Sequence, residues 1–129
     1  MINMGDEVRD ELKYTETHEW LKVEGKVAKV GITDHAQEEL TDIVFVELPE
    51  VGKEVEKGEE LCVVESVKSV SEIYAPISGK IANINKELEN TPEVVNESPY
   101  DDGWLVEIEV SDESDIKKLL NSNDYKNLI

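Results

Sequence analysis

Residues 60–75 read ELCVVESVKSVSEIYA, two apolar runs with almost no break between them. Both runs are rich in β-branched residues, which is typical of strands. The break falls at Val67 and Lys68 and contains no Gly, Asn or Asp, so a turn with positive φ is disfavoured and a type I turn is expected. The sequence therefore predicts a tight β-hairpin with Lys68 at its tip, projecting into water.

More short strands are predicted on both sides of this hairpin. Apolar and polar residues alternate around a turn at Glu24-Gly25, and the same alternation recurs later in the chain. Thr33 and Asp34 are placed to cap a short helix, and Ser114 opens a C-terminal helix. Many short strands with few helices favour an all-β sandwich or barrel with small helices at its edges. The further strands are predicted at 20–23, 26–30, 43–48, 80–85 and 104–110, the short helix at 34–40, and a helical turn near 93–96.

Length and charge restrict the possible functions. The chain has 129 residues, enough for one domain, and its 13 basic and 31 acidic residues give a net charge of −18. This charge argues against binding to nucleic acid or to an anionic membrane, because both require a basic face. No apolar run approaches the ~20 residues of a membrane span. The start of the chain resembles no secretory or mitochondrial targeting segment. We expect a cytoplasmic protein, or a mitochondrial one whose transit peptide has been removed.

Lys68 is the only basic residue between Gly58 and Gly79, a stretch that also contains four glutamates. A single amine at a hairpin apex is accessible to a modifying enzyme, and acylation would replace its charge with a tethered group. Most surface lysines on hairpins serve solubility, and the local pattern alone leaves modification open as the less common role. A lysine becomes a good nucleophile when apolar burial or a cationic neighbour lowers its pKa. The residues around Lys68 indicate neither, so Lys68 is not expected to react unaided.

The other reactive side chains favour structural roles. The single cysteine, Cys62, lies in an apolar strand and is predicted to be a buried thiol. Two histidines, His18 and His35, are too few to indicate a metal site, and His18 is predicted to be a structural hydrogen-bonding residue. The serines around Lys68 have no evident paired base, which argues against a serine-nucleophile enzyme.

Several motifs, in order along the chain, resemble the glycine cleavage H-protein family. The segment VVESVKSVSEIYAPISGKI at 63–81 resembles its lipoyl-attachment hairpin, and the resemblance extends over about residues 14–125. The other matching motifs are YTETHEW at 14–20, VGITDHAQ at 30–37, DIVFVELP at 42–49, VGKEV at 51–55, VN at 95–96, SPY at 98–100 and GWL at 103–105.

The resemblance implies a mainly β fold, the barrel-sandwich hybrid of lipoyl and biotinyl domains, with short flanking helices and a C-terminal helix. It implies that residues 14–129 form a single lipoyl-carrier domain. Residues 1–13 would then be an N-terminal arm or a short helix.

The resemblance also assigns site residues. Lys68 matches the lysine that receives lipoic acid in amide linkage, and Glu65 matches an acidic residue that a ligase recognises. The loaded arm of family members folds back into a surface cleft, and His35 is assigned to this cleft. The matching motifs place the cleft lining near Glu19, Trp20, Ile32, Asp34 and His35.

The implied function is that of a non-catalytic carrier. It would shuttle the aminomethyl group derived from glycine on a lipoyl-lysine. Its partners would be a glycine decarboxylase with pyridoxal phosphate, an aminomethyltransferase with tetrahydrofolate, and a dihydrolipoyl dehydrogenase. A lipoate ligase or a lipoyl/octanoyl transferase would attach the cofactor.

Two alternatives share the same lysine. A lipoate relay, which donates lipoyl groups to other lipoate-dependent complexes, would use Lys68 in the same way and stays open. A biotin carrier is disfavoured, because biotin acceptors usually have Met on both sides of the lysine and here the neighbours are Val67 and Ser69.

Two positions depart from the common family pattern. Ser69 follows the lysine where Ala is frequent, and Asp101 stands where Gly is common. We expect Ser69 to alter recognition by the ligase slightly and Asp101 to restrict a loop, since any side chain removes backbone freedom that glycine has.

Overall fold

The computed structural model describes residues 6–129, and this range contains nine strands and five short helices. The strands are β1 (Lys13–Tyr14), β2 (Glu19–Glu24), β3 (Val27–Ile32), β4 (Ile43–Glu47), β5 (Glu54–Val55), β6 (Glu60–Ser66), β7 (Val70–Tyr74), β8 (Gly79–Ile84) and β9 (Val106–Val110). The helices are α1 (Asp34–Leu40), α2 (Glu87–Asn90), α3 (Val94–Glu97), α4 (Ser114–Lys117) and α5 (Ser122–Leu128).

The strands form two antiparallel sheets that share one core. The larger sheet has the order β1-β2-β3-β9-β8-β5, and the smaller sheet has the order β4-β6-β7. Strands β6 and β7 are the predicted hairpin. Buried side chains from both sheets, among them Val30, Val64 and Ile108, belong to a single hydrophobic cluster. The predicted mainly β, lipoyl-domain-like barrel-sandwich fold with short helices is confirmed.

Alternation along the strands explains how the core is filled. In β9, Val106 and Ile108 are buried, whereas Glu109 is exposed and Glu107 is partly exposed. Successive residues of a strand point to opposite faces, so a period of two separates the core from water. The same alternation made these strands readable from the sequence.

Gly79 serves close packing between strands. It is the first residue of β8 and pairs with Val110 of β9. A Cβ at this position would overlap the backbone carbonyl oxygen of Glu109. Strand β8 therefore begins at a residue that must lack a side chain.

Helix α1 has the predicted bounds. Thr33 Oγ1 accepts a hydrogen bond from the Ala36 amide at 3.2 Å, and the Gln37 side-chain amide donates to Asp34 Oδ1 at 2.8 Å. These contacts satisfy part of the first turn, as the capping pattern indicated. The chain leaves the helix through Thr41, whose φ is 65°, and then enters β4.

The single helix predicted from Ser114 onward is divided into two. Helix α4 ends at Lys117, and Leu120 then exchanges backbone hydrogen bonds with Tyr14 at 2.8 and 2.9 Å. Asn121 caps α5 by accepting from the Asp124 amide at 2.8 Å. The bridge between Leu120 and Tyr14 interrupts the helix, because a residue paired as a strand cannot also keep helical hydrogen bonds.

An aromatic cluster forms a second, smaller core. Its buried members are Leu12, Tyr14, Trp20, Tyr100 and Tyr125. The rings of Tyr14 and Tyr125 are stacked with their centroids 4.5 Å apart. This cluster attaches α5 and the beginning of the chain to the larger sheet.

The segment before β1 crosses the aromatic cluster without forming a helix over residues 6–12, and residues 1–5 of the predicted arm or helix lie outside the described range. Arg9 donates two hydrogen bonds to the carboxylate of Asp101, at 2.9 and 3.0 Å. The Arg9 guanidinium also lies 5.0 Å from the centre of the Tyr100 ring. Asp101 therefore ties this segment to the loop after α3.

Candidate functional site

Lys68 lies at the exposed tip of the β6–β7 hairpin. The Ser66 amide donates to the Ser69 carbonyl oxygen at 2.8 Å. Ser66 Oγ accepts hydrogen bonds from the amides of Lys68 at 3.1 Å and Ser69 at 3.0 Å. Among the described residues, neither Val67 nor Lys68 has a positive φ, as the composition of the turn indicated. The tip is a closed, hydrogen-bonded turn that holds its lysine in water.

The neighbouring elements support this tip. The Val67 amide donates to the Asp42 carbonyl oxygen at 3.0 Å, which attaches the tip to the segment before β4. Lys68 Nζ lies 3.4 Å from the Glu39 carbonyl oxygen near the end of α1. A hydrogen bond of this length is weak, so the amine stays accessible.

Ser66 is a tip residue that sequence analysis did not identify. Its side chain is buried, and the hydroxyl donates to the Ser69 carbonyl oxygen at 3.2 Å. A serine side chain commonly accepts hydrogen bonds from the backbone amides two and three residues later in a turn. The serine immediately before the predicted turn was therefore the signal that could have identified this residue. The position was overlooked because it also continues the apolar strand.

Glu65 lies one residue before Ser66, on the outer face of the small sheet. It pairs in register with Phe45 of β4 and Val70 of β7, and its side chain is exposed. Its carboxylate makes no ion pair among the described residues. The assigned recognition residue is therefore open to a partner protein.

His35 lies on α1 and connects the segment before β1 to the end of that helix. Its Nδ1 is 3.4 Å from Asp6 Oδ2, and its Nε2 is 2.6 Å from Glu39 Oε1. The His35 and His18 ring centroids are 4.8 Å apart. His35 thus touches the residue whose carbonyl oxygen faces Lys68.

Two adjoining recesses flank β7, and both are lined by Thr17 and Tyr74. The first has a volume of about 340 Å³ and is also lined by Thr15, Glu19, Lys57, Gly58, Ala75 and Pro76. The second has a volume of about 550 Å³ and is also lined by Glu16, His18, Val70, Ser71 and Glu72. Val70, the first residue of β7, follows Lys68 by two residues, a span of at most about 7 Å, so the second recess begins beside the hairpin tip.

These two recesses meet the expected cleft lining only in part. Of the five residues assigned to it, Glu19 lines one of these two recesses, whereas His35 and Asp34 line neither. Trp20 and Ile32 are fully buried in the hydrophobic clusters and cannot line a surface cleft. Position in a motif does not show which side of a sheet each side chain faces.

Glu19 is a buried carboxylate at the first recess. Its Oε1 accepts hydrogen bonds from the hydroxyls of Thr15 and Thr17, both at 2.6 Å. Burial raises the pKa of Glu19, while the hydrogen bonds from Thr15, Thr17 and the Tyr74 backbone oppose that rise. A positive charge entering the recess would favour the ionised form again. The first recess therefore has a buried carboxylate in its wall, with Lys57 among its other lining residues.

His18 has the structural role predicted for it. Its Nδ1 shares a hydrogen bond with the Tyr125 hydroxyl at 2.8 Å, and that hydroxyl also contacts Thr33 Oγ1 at 2.7 Å. Burial, and then the neighbouring His35, lower the pKa of His18. A neutral His18 therefore helps to fix α5 against the larger sheet.

Cys62 is buried on the inner side of β6, as predicted, and burial raises the pKa of its thiol. Within residues 6–129, no group of three His, Cys, Asp or Glu side chains is arranged to hold a metal ion. None of the helices in this range is both long enough and apolar enough to cross a membrane.

Comparison with known proteins gives a consistent result. The family model described as Glycine cleavage H-protein matches residues 12–129. The glycine cleavage system H protein of Halalkalibacterium halodurans is 58% identical over 120 residues, covering 93% of this chain and 94% of that protein. Its counterpart in Staphylococcus haemolyticus is 57% identical over 122 residues, covering 95% and 97%.

A solved structure agrees with these relatives. The crystal structure of a glycine cleavage system H protein from Mycobacterium marinum resembles this fold with a TM-score of 0.86 at 36% identity. The match covers 93% of this chain and 97% of that chain.

Proposed function

The chain belongs to the glycine cleavage H-protein family and is a lipoyl carrier of the glycine cleavage system, and from this premise we propose that Lys68 is its attachment residue. The observation that carries the proposal is the position of Lys68 at the tip of a closed hairpin, with its amine exposed. A carrier group must reach several active sites, and a rigid apex presents it better than a loose loop. We further propose residues 14–129 as the carrier domain.

Attachment requires an activated lipoate. Lys68 Nζ, in its neutral form, attacks the carbonyl carbon of a lipoyl adenylate that a ligase makes from lipoate and ATP. The new C–N bond forms as the C–O bond to AMP breaks, AMP leaves, and the amine loses a proton. The lysine side chain loses its positive charge, and its nitrogen keeps one N–H donor in place of three.

The lipoyl group, when bound, supplies a dithiolane that takes up the aminomethyl group derived from glycine. The carrier role requires no catalytic group from this chain. We propose glycine decarboxylase, aminomethyltransferase and dihydrolipoyl dehydrogenase as the partners that its tip visits in turn. The two curated relatives are bacterial proteins, which supports the cytoplasm as the compartment.

The recesses beside β7 are the proposed resting place for the loaded arm. They begin next to the tip, and the buried carboxylate of Glu19 lies at their inner end. Glu19 would bind the cationic amine of the cargo. His35 lies outside these recesses, so we propose that it supports α1 behind the tip.

The attachment residue is tested by intact mass. Incubation of the full chain with lipoate ligase, ATP and lipoic acid should add one lipoyl group. Lys68→Arg should add none, while the matched control Lys80→Arg, an exposed lysine on the larger sheet, should be modified normally. Modification of the Lys68→Arg protein at the wild-type rate would overturn the assignment.

A further inference from the structure

A buried aspartate connects the segment before β1 to helix α1. The Asp6 side chain is only 6% exposed, and its Oδ2 lies 3.4 Å from Nδ1 of His35. The other ring nitrogen of His35, Nε2, lies 2.6 Å from Oε1 of Glu39, four residues further along α1. The imidazole ring of His35 therefore has a carboxylate group at each of its two nitrogens.

This arrangement requires a proton. A neutral imidazole donates a hydrogen bond from one nitrogen only, whereas a protonated imidazole donates from both. An ionised carboxylate has no proton to donate, so both contacts are hydrogen bonds only while the His35 ring is charged. When the ring loses that proton, either Asp6 or Glu39 faces a nitrogen lone pair, and the contact becomes repulsive.

Glu38 adds a second contact of this kind. Its carboxyl group lies against Asp6, and that contact raises the pKa of Glu38. Two carboxyl groups form a hydrogen bond with each other only when a proton lies between them. Asp6 Oδ1 is buried and accepts no hydrogen bond from residues 6–129. Asp6 therefore has an unused acceptor oxygen and a neighbouring carboxyl group that can hold a proton.

The neighbouring elements add negative or neutral groups around the His35 ring. On α1, the Asp34 carboxylate accepts a hydrogen bond from the Glu7 amide at 2.8 Å. In the loop between β1 and β2, the His18 ring lies with its centroid 4.8 Å from that of His35. Burial, and then His35, lower the pKa of His18, so this second ring stays neutral. On α5, the Tyr125 hydroxyl bonds to His18, and burial raises its pKa.

The segment is held from Glu7 onward by groups that keep their charge near neutral pH. The Glu7 carbonyl oxygen accepts a hydrogen bond from the Tyr100 hydroxyl, whose pKa is raised by burial. The Arg9 amide donates to the Tyr14 hydroxyl at 2.7 Å, and burial raises the pKa of Tyr14 to about 12. The Arg9 guanidinium pairs with Asp101, whose pKa it lowers. Only Asp6 and the peptide bond that follows it depend on a proton for their attachment.

We propose that Asp6, His35 and Glu38 form a proton-dependent latch, which holds Asp6 against α1 in mildly acidic solution and releases it as the pH rises. Histidine is the side chain whose charge commonly changes between about pH 5 and about pH 8. Above that range, four carboxylates surround a neutral ring and repel one another. A carboxyl group with a raised pKa, such as that of Glu38, stabilises the closed form at low pH and loses this contribution as the pH rises.

The latch extends toward the hairpin tip through Glu39. The Glu39 carbonyl oxygen lies 3.4 Å from Lys68 Nζ, the cation that the tip contributes to this neighbourhood. When the His35 ring loses its charge, the Glu39 carboxylate loses its charged partner. The environment behind the tip therefore becomes more negative as the pH rises. The latch itself does not depend on modification of Lys68.

The latch is tested by NMR on the full chain between about pH 5.5 and about pH 8. The reporters are the His35 ring and the Glu7 amide, which belongs to the peptide bond after Asp6 and donates to Asp34. Protection of this amide against hydrogen exchange, after correction for the intrinsic effect of pH, should fall about fivefold, as loss of a partly exposed ion pair predicts. The fall should share its midpoint with the titration of the His35 ring, while the Arg9 amide stays protected.

The variant Asp6→Asn distinguishes the latch from a merely structural contact. Asparagine keeps the shape of the side chain, and its neutral amide can accept from a neutral His35 ring and donate to an ionised Glu38. The variant should therefore keep the Glu7 amide protected at both ends of the pH range. The matched control Glu11→Gln, which changes an exposed carboxylate of the same segment, should retain the wild-type dependence on pH.

Two results would overturn the proposal. One is wild-type protection of the Glu7 amide that does not change with pH, or that changes with a midpoint different from that of His35. The other is a folded Asp6→Asn protein that follows the wild-type profile. Should Asp6→Asn fail to fold, Glu38→Gln, whose exposed amide donates to Asp6 without a proton, decides the question and should also protect the Glu7 amide at high pH. Lipoylation of the chain is a separate measurement, so either result leaves the proposed function intact.

Discussion

Glu19 is the residue whose environment most directly predicts a measurable effect. Its carboxylate is buried at the recess and held by two threonine hydroxyls. Glu19→Gln keeps the shape but removes the charge that would bind a cationic amine. A charge-assisted hydrogen bond contributes about 1.5 kcal/mol, so we expect the aminomethyl group to be lost from the loaded carrier about tenfold faster. The measurement is the half-life of label from methylene-labelled glycine after the decarboxylase is removed.

The control for this variant is Glu24→Gln, an exposed glutamate at the end of β2. It should not change the half-life. Equal half-lives for Glu19→Gln and wild type would show that the recess does not hold the amine through this carboxylate.

Single residues were predictable where local pattern was sufficient. Lys68 stood out as the only cation of its stretch, and Cys62 was placed inside from its apolar neighbours. The recess was not predictable, because Glu19 and Tyr74 meet there from strands of different sheets. The exposure of Phe45 was not predictable either, because it depends on the register of β4 against β6, which a bulge shifts without any residue type that indicates it.

At the scale of elements, the segment before β1 gives a prediction that depends on pH. Arg9 holds the pKa of Asp101 below its ordinary value through two hydrogen bonds. A carboxylate with a lower pKa in the folded state stabilises the fold above its unfolded pKa of about 4, and this contribution is lost as the pH falls through the folded value. Asp101→Asn should therefore lower the free energy of unfolding at pH 7, and the difference from wild type should disappear in acid.

The effect should be small, because the Asp101 side chain is 63% exposed and solvent weakens the pair. Exposed ion pairs contribute about 0.2–1 kcal/mol, so we expect about 0.5 kcal/mol at pH 7. Urea unfolding at pH 7 and near pH 2 measures it. Asp102→Asn is the matched control, since the Asp102 carboxylate makes no ion pair in the described part of the chain. A difference that persists unchanged in acid would contradict the pairing.

Elements were predictable in proportion to the clarity of their periodicity. The hairpin of β2 and β3, the β6–β7 hairpin and the capped helix α1 carry local signals and were found. The two-residue strands β1 and β5 exist only because a neighbour pairs with them. Helix α5 has a polar sequence, and it is positioned by burial of Tyr125 in the aromatic cluster, which is a tertiary effect.

At the scale of the whole molecule, the charge of −18 predicts how encounters depend on salt. Eleven acids and no basic residue occur between Glu87 and Ile116. If this surface steers basic partners, the rate at which glycine decarboxylase loads the lipoylated carrier should fall about tenfold between low and high salt. Initial rates measured at subsaturating carrier over a range of NaCl concentrations test this. Sucrose at matched osmolality serves as the control, and rates that do not change with salt would show that shape governs the encounter.

The position of Cys62 has a consequence for the redox chemistry of a lipoyl carrier. It lies on β6, six residues before Lys68 at the tip, yet its thiol is buried on the inner side and its pKa is raised. A thiolate that reached the cyclic disulfide of a lipoyl group on Lys68 would attack one sulfur while the other left as a thiolate, and the resulting mixed disulfide would trap the arm on its own protein. Because the Cys62 thiol is buried, it is not accessible to the lipoyl group, and its raised pKa disfavours the thiolate that this reaction needs. The carrier therefore does not inactivate itself through Cys62. The sulfurs of the lipoyl group react only with the enzymes that reduce or reoxidise them.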